Sequence, residues 1–113
     1  IELIASPGVG KLILVDNILV SLTAGVTAYT GGGTLRTNYT GSTLDISIVT
    51  FPAATITSAT SRQDARSCYG TAALGLSVNG NSNTALLFTN ITGAFLTGNG
   101  TAKVFIQYRI VTL

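Results

Sequence analysis

The closing stretch of the chain constrains its fold most. Ala102, Val104, Ile106, Tyr108 and Ile110 fall at every second position, and Lys103, Gln107 and Arg109 fall between them together with Phe105. A repeat of two sends successive side chains to opposite faces of an extended strand, whereas a helix repeats near 3.6. The turn Gly98-Asn99-Gly100 leads into this strand, and the short apolar run Leu86-Leu87-Phe88 precedes it. Tight turns between apolar runs of strand length specify a β-protein.

The rest of the chain follows the same pattern. Residues 10–22 form a first strand region, in which Leu12, Ile13, Leu14 and Val15 are consecutive. A continuous apolar run is expected to be buried on both faces, one against the core and the other against a neighbouring chain. Asp16-Asn17 interrupts it as a bulge or a bend. Thr27-Ala28-Tyr29-Thr30 is a short candidate strand, and Gly31-Gly32-Gly33 a turn in which positive φ costs nothing. Leu35, Thr37 and Tyr39 alternate with Arg36 and Asn38, and Leu44, Ile46 and Ile48 with Asp45, Ser47 and Val49. Thr40-Gly41-Ser42 turns between them, and Pro52 after Phe51 stops the second run. Leu74, Leu76 and Val78 read as another strand, and Asn79-Gly80 as a hairpin turn. A helix of two turns is expected within 61–73, capped by Ser61 with Asp64 in its first turn. The expected fold is all-β: an antiparallel β-sandwich or jelly-roll-like domain of about eight strands over residues 1–113. The chain begins at Ile1 and contains no Met, which points to a longer polypeptide upstream or a processed product.

Composition narrows the function. Charged residues make up 9% of the chain, against about 25% in an average soluble domain, and mean hydropathy is +0.52. A surface of Thr, Ser, Asn, Gly and aliphatic residues is one that a partner covers, so the chain reads as a subunit of an assembly. The net charge of +2 rests on Lys11, Arg36, Arg62, Arg66, Lys103 and Arg109. They are too scattered for the clustered phosphate contacts of a nucleic-acid binder. No apolar run approaches the ~20 residues of a membrane-spanning helix. The lone Cys68 builds no intrachain disulfide and reads as a small, half-buried apolar residue.

Catalysis is disfavoured. The chain has no His, which removes Ser-His-Asp and Cys-His arrangements and the commonest metal ligand and general base. Glu2, Asp16, Asp45 and Asp64 are the carboxylates. Asp16 and Asp45 are the pair that a glycosidase reading would use, but nothing in the sequence requires them to meet. Pro7-Gly8-Val9-Gly10-Lys11 lacks the spacing and the following Ser or Thr of a phosphate loop, and it enters a strand rather than a helix. No cofactor is expected. The triplets at Asn38, Asn90 and Asn99 match a glycosylation pattern that a Thr- and Asn-rich chain produces by chance. Tyr29, Tyr39, Tyr69 and Tyr108 are spread out and read as core-edge residues.

Ser61-Arg62-Gln63-Asp64-Ala65-Arg66-Ser67 concentrates charge. Arg62, Asp64 and Arg66 form a candidate contact patch, because guanidinium groups pair bidentately with a partner's carboxylates. The same segment also reads as a solvated face with an internal Asp–Arg pair. Phe105 and Arg109, on the outer side of the last strand, complete the candidate interface.

Two segments carry a resemblance to a known class. One is Ser6-Pro7-Gly8-Val9-Gly10-Lys11-Leu12-Ile13-Leu14-Val15 with Ala28-Tyr29-Thr30-Gly31-Gly32-Gly33 and Leu35. The other runs from Asn83-Thr84-Ala85-Leu86 through Thr97-Gly98-Asn99-Gly100-Thr101 to Val104-Phe105-Ile106-Gln107-Tyr108-Arg109-Ile110-Val111. Together they resemble the small β-sandwich structural proteins of tailed bacteriophages. The resemblance implies a non-enzymatic virion component that binds the major capsid protein on the capsid exterior as a homotrimeric decoration or cement protein. The alternative within the class is the receptor-binding head of a fibre or spike, which recognises a host glycan or protein. The class carries no catalytic motif, so no site residue is transferred from it.

Overall fold

The computed structural model describes residues 1–41, 49–68 and 81–113. Its organising element is the long strand β2, Lys11–Thr23, which follows the short β1, Glu2–Ile4. Next come β3 (Thr30–Gly31), β4 (Leu35–Tyr39), β5 (Val49–Phe51), the single-turn helix α1 (Ala54–Thr57) and β6 (Arg62–Ser67). The strands β7 (Leu86–Asn90), β8 (Phe95–Leu96) and β9 (Thr101–Thr112) complete the described chain. The fold is all-β and sandwich-like, with nine strands among the described residues. Every strand pairing is antiparallel.

One layer is a four-stranded sheet in the order β1-β7-β4-β5, the other a three-stranded sheet in the order β6-β2-β9, and β3 pairs with β8 as a separate ribbon. Between the two layers lie Ile13, Val15, Ile18 and Val20 of β2, Leu35 and Tyr39 of β4, Val49 and Phe51 of β5, and Leu86 and Phe88 of β7. Phe51 and Phe88 meet edge to face, with ring centroids 6.4 Å apart. The alternation expected in β4 is observed: Leu35, Thr37 and Tyr39 are buried while Arg36 and Asn38 are half-buried. Pro52 ends β5 as expected, and its carbonyl accepts from Thr55 N at 2.9 Å to start α1. The helix closes one side of the core with Thr55 and Ile56.

The bulge expected at Asp16-Asn17 is present. Val15 lies opposite Tyr108 and Asn17 opposite Gln107, so Asp16 has no counterpart on β9. Leu12 and Ile13 are both buried, with Val15 and Ile18 beyond them. Leu12 and Ile13 point to opposite faces, so burial on both faces is achieved within a single chain and no neighbour is needed for it. The edge of β2 away from β9 is filled in two ways. Residues 17–22 pair with β6, while the carbonyls before them take individual donors: Asn83 N to Lys11 O at 2.8 Å and Cys68 N to Asp16 O at 2.9 Å. Between these two, the Tyr39 hydroxyl donates to Ile13 O.

Three expectations are corrected. Within 61–73, residues 62–67 form a strand, not a helix. Arg62, Asp64 and Arg66 alternate with Gln63, Ala65 and Ser67, and β2 offers them a ladder from Leu22 to Asn17. A two-turn helix there would have no apolar face to bury. Ser61 is no helix cap either, since its hydroxyl accepts from Ala24 N at 2.9 Å. The strand expected over Thr27 to Thr30 is reduced to Thr30–Gly31. Tyr39 is not a core-edge residue but lies at the centre of the core. The strands expected at 44–48 and 74–78, the Asn79-Gly80 turn, Asp45 and Tyr69 lie outside the described residues.

Candidate assembly interface

The three-stranded sheet ends in two unlike edges. On β6 the side chains that share the inner face with Ile18, Val20 and Leu22 are Arg66, Asp64 and Arg62. They are held within the chain. Arg62 Nη2 lies 2.7 Å from Asp64 Oδ1, Thr55 Oγ1 donates to Asp64 Oδ2 at 2.6 Å, and Arg62 Nη1 reaches Ala54 O at 3.4 Å. The Arg66 guanidinium lies 5.8 Å from the centroid of the buried Phe51 ring, a cation–π contact. Hydrogen bonds from Arg62 and Thr55 hold the Asp64 carboxyl below the usual carboxylate range. Charges turned inward are one of the devices that stop an edge strand from pairing with another molecule.

The β9 edge has no such device. All of β9 pairs with β2 on one side, from Thr101 opposite Thr23 to Thr112 opposite Lys11. Among the described residues no strand pairs with its other side. Its inner face carries Ala102, Val104, Ile106, Tyr108 and Ile110, as the alternation predicts, but only Val104 and Ile106 pack on the core. Tyr108 and Ile110 stay 43% and 51% exposed although their partners Val15 and Ile13 are buried. The periodicity names the face correctly; the position of β9, outermost among the described strands of the sheet, leaves that face half-covered. On the outer face Phe105 is 53% exposed. Arg109 is drawn across to β2, where its Nε and Nη2 donate to Asp16 Oδ2 and Oδ1 at 3.2 and 3.1 Å.

Of the residues expected at an interface, Phe105 and Arg109 therefore lie on the open edge. Arg62, Asp64 and Arg66 lie on the opposite edge of the same sheet, engaged with one another, α1 and Phe51. A shallow groove of about 480 Å³ crosses the outer face between the edges, lined by Leu19, Ala65, Ser67, Phe105 and the Asn17–Gln107 pair. Asn17 Nδ2 donates to Gln107 Oε1 there at 2.8 Å. Tyr108, Ile110 and Leu19 were not identified from the sequence. Their signal is an apolar residue on both faces of one strand, Phe105 beside Ile106, in a chain with few charges.

A second concavity, of about 640 Å³, opens at the end of the sandwich. Tyr29, Phe88, Phe95, Thr89 and Asn90 line it. The Tyr29 hydroxyl is engaged with Gly100 O at 2.8 Å. Gly98, at φ +86°, passes so close to Tyr29 that an added Cβ would meet the ring at 2.5 Å. Glycine there lets the last turn close over the aromatic wall. Cys68 is half-buried, and burial and the Asp16 carboxylate push its thiol up, the opposite of an activated nucleophile. Among the described residues no group of three or more Cys, Asp or Glu is placed to hold a metal ion, and no helix is long and apolar enough to cross a membrane.

No family model matches this chain, and no curated protein or solved structure matches it either.

Proposed function

We propose that the chain is a non-enzymatic structural subunit of a virion, a decoration or cement protein that binds the major capsid shell of a tailed phage from outside. The observation that carries this reading is the apolar, charge-poor surface: charged residues are 9% of the chain, and away from β9 the side chains of Val9, Val26, Ile91 and Leu96 stay at least half exposed. Exposed apolar side chains of this kind supply burial at roughly 25 cal/mol per Å² when a partner covers them. Scarce surface charge suits permanent contacts, which resemble a core cut in half. Several copies on one shell add avidity without new contacts.

The test is co-sedimentation with capsid shells stripped of accessory proteins. Saturable, stoichiometric binding and a higher melting temperature of the shell are expected. Shells that sediment alone at every concentration refute the reading. The end cleft favours a second reading, the receptor-binding head of a fibre, in which Tyr29 and Phe95 stack on a sugar and Thr89 and Asn90 bond its hydroxyls. Binding to host-cell polysaccharide that is lost in Phe95→Ala, together with absent shell binding, would select it.

A further inference from the structure

The two edges of the three-stranded sheet make different partners available. Any ring built by extending this sheet head to tail would join β9 of one copy to β6 of the next. On β6 the inner face carries Arg62, Asp64 and Arg66, which are held against α1 and Phe51. The edge strands of the four-stranded sheet, β1 and β5, are three residues each, and short edges support little pairing. Among the described residues β9 is the one long edge without a paired neighbour, a protective bulge or a proline, since the bulge of the β2–β9 ladder lies in β2.

We infer that the occupant of this edge is β9 of a second copy of the same chain, antiparallel and centred on Gln107, so that two three-stranded sheets become one of six strands. The register follows from side-chain chemistry. A two-fold axis perpendicular to the sheet keeps inner faces together, so even-numbered residues meet even-numbered ones. Centring on Ile106 would set Lys103 opposite Arg109 of the other copy, and directly opposed like charges destabilise a ladder. Centring on Gln107 sets Val104 opposite Ile110 and Ile106 opposite Tyr108 on the inner face. On the outer face it sets Phe105 opposite Arg109, whose guanidinium stays with Asp16 while its aliphatic stem lies beside the ring, and Gln107 opposite Gln107. The exposed half of each strand, Tyr108 and Ile110, then lies beside the partly covered half of its partner, Ile106 and Val104. The paired segment, residues 102–112, is about 36 Å long at ~3.3 Å per residue. With both rows of flanking side chains it covers on the order of 700 Å² per copy, near the ~800 Å² of a standard interface. A strand edge takes one partner, so the product is a closed two-fold dimer rather than the trimer that the sequence resemblance implies. The inference stands apart from the capsid reading: a chain that dimerises but ignores shells would leave it intact.

The experiment is light scattering coupled to size exclusion on the 113-residue chain, with two substitutions and a cross-link. The wild-type chain is expected to run at about twice its 11.6 kDa. Ile110→Lys, at a half-exposed position, is expected to run as a folded monomer by circular dichroism, and Gln107→Lys, which sets two ammonium groups across the axis, gives the same result should Ile110→Lys not fold. In a Cys68→Ala background, Gln107→Cys is expected to form an intermolecular disulfide in a glutathione redox buffer, because directly opposed residues have Cα atoms about 4.5–5.5 Å apart. Phe105→Cys is expected not to, because in this register the two copies of residue 105 lie about 13 Å apart. A monomer up to about 1 mM, where even a weak complex is populated, would overturn the inference. So would a trimer, a dimer indifferent to both lysine substitutions, or a disulfide at residue 105 in place of 107.

Discussion

Removing one oxygen atom from the core tests how the long strand is held. The first half of β2 has no strand on its second edge among the described residues, and the Tyr39 hydroxyl serves as the donor to Ile13 O. Both residues are buried, Tyr39 at 2% and Ile13 at 0% exposure. Tyr39→Phe keeps the ring and strands the carbonyl. A net hydrogen bond is worth about 1 kcal/mol, and a buried acceptor left without a donor costs about 1–3 kcal/mol, so a loss of about 2 kcal/mol is expected. For a chain of this size the urea slope is about 1–1.5 kcal/mol per M, so the midpoint should fall by roughly 1.5 M at an unchanged slope. The hydroxyl also leaves a signature in pH. Burial, with a smaller contribution from Cys68, pushes its pKa from 10.0 up to about 12. Above pH 10 the unfolded chain gives up this proton while the folded chain holds it, so stability is intact below pH 10 and declines towards pH 12. In Tyr39→Phe that part of the alkaline decline should be missing. A midpoint within about 0.3 M of the wild type, with an unchanged alkaline limb, would refute the account of how Ile13 O is satisfied.

The remaining predictions concern the edge and the turns. Asp64→Asn should cost stability at neutral pH but little in acid. The carboxyl is held below its usual range by Arg62 and Thr55, so its contribution is present above about pH 4 and lost as pH falls; urea midpoints at neutral and acid pH should converge for the two chains. Thr97 is a β-branched residue at φ +52°, a conformation that costs about 1–3 kcal/mol outside glycine. Thr97→Gly should therefore raise the melting temperature by several degrees despite the loss of the 2.9 Å contact with Thr30 Oγ1, and a fall would show that this contact outweighs the strain. Gly98→Val should destabilise the last turn and abolish any ligand binding in the end cleft, read by thermal unfolding and by titration with glycan, because its Cβ would meet the Tyr29 ring.

Sequence reasoning reached what depends on local alternation. The faces of β4 and β9, the stop at Pro52 and the bulge at Asp16 all follow from residues adjacent in the chain, because a strand's period and a proline's missing donor act over a few positions. It failed where a distant element decided the outcome. The charges of 61–67 resemble a capped helix, and they become a strand because β2 offers a ladder that a local reading does not see. The site divided in the same way. Phe105 was legible as an outward aromatic, but the exposure of Tyr108 and Ile110 depends on β9 being outermost among the described strands of its sheet. Arg62, Asp64 and Arg66 read from the sequence as a contact patch or as a solvated face with an internal Asp–Arg pair; that pair is present, and the further partners, α1 and Phe51, come from elements a local reading does not place.

The ladder between β2 and β9 also sets an order of events in time. Asn17 and Gln107, which bond to one another, are 90 residues apart in the chain. Closing a loop of that size costs about 4 kcal/mol of chain entropy before any contact rewards it, so this pairing belongs among the slow steps of folding. Until β9 has been synthesised, β2 carries Leu12, Ile13, Val15, Ile18 and Val20 on a strand with one long edge unmatched. The nascent chain is at its most adhesive in that interval, and β6, β2's other neighbour, arrives first, with its charges already turned towards the inside.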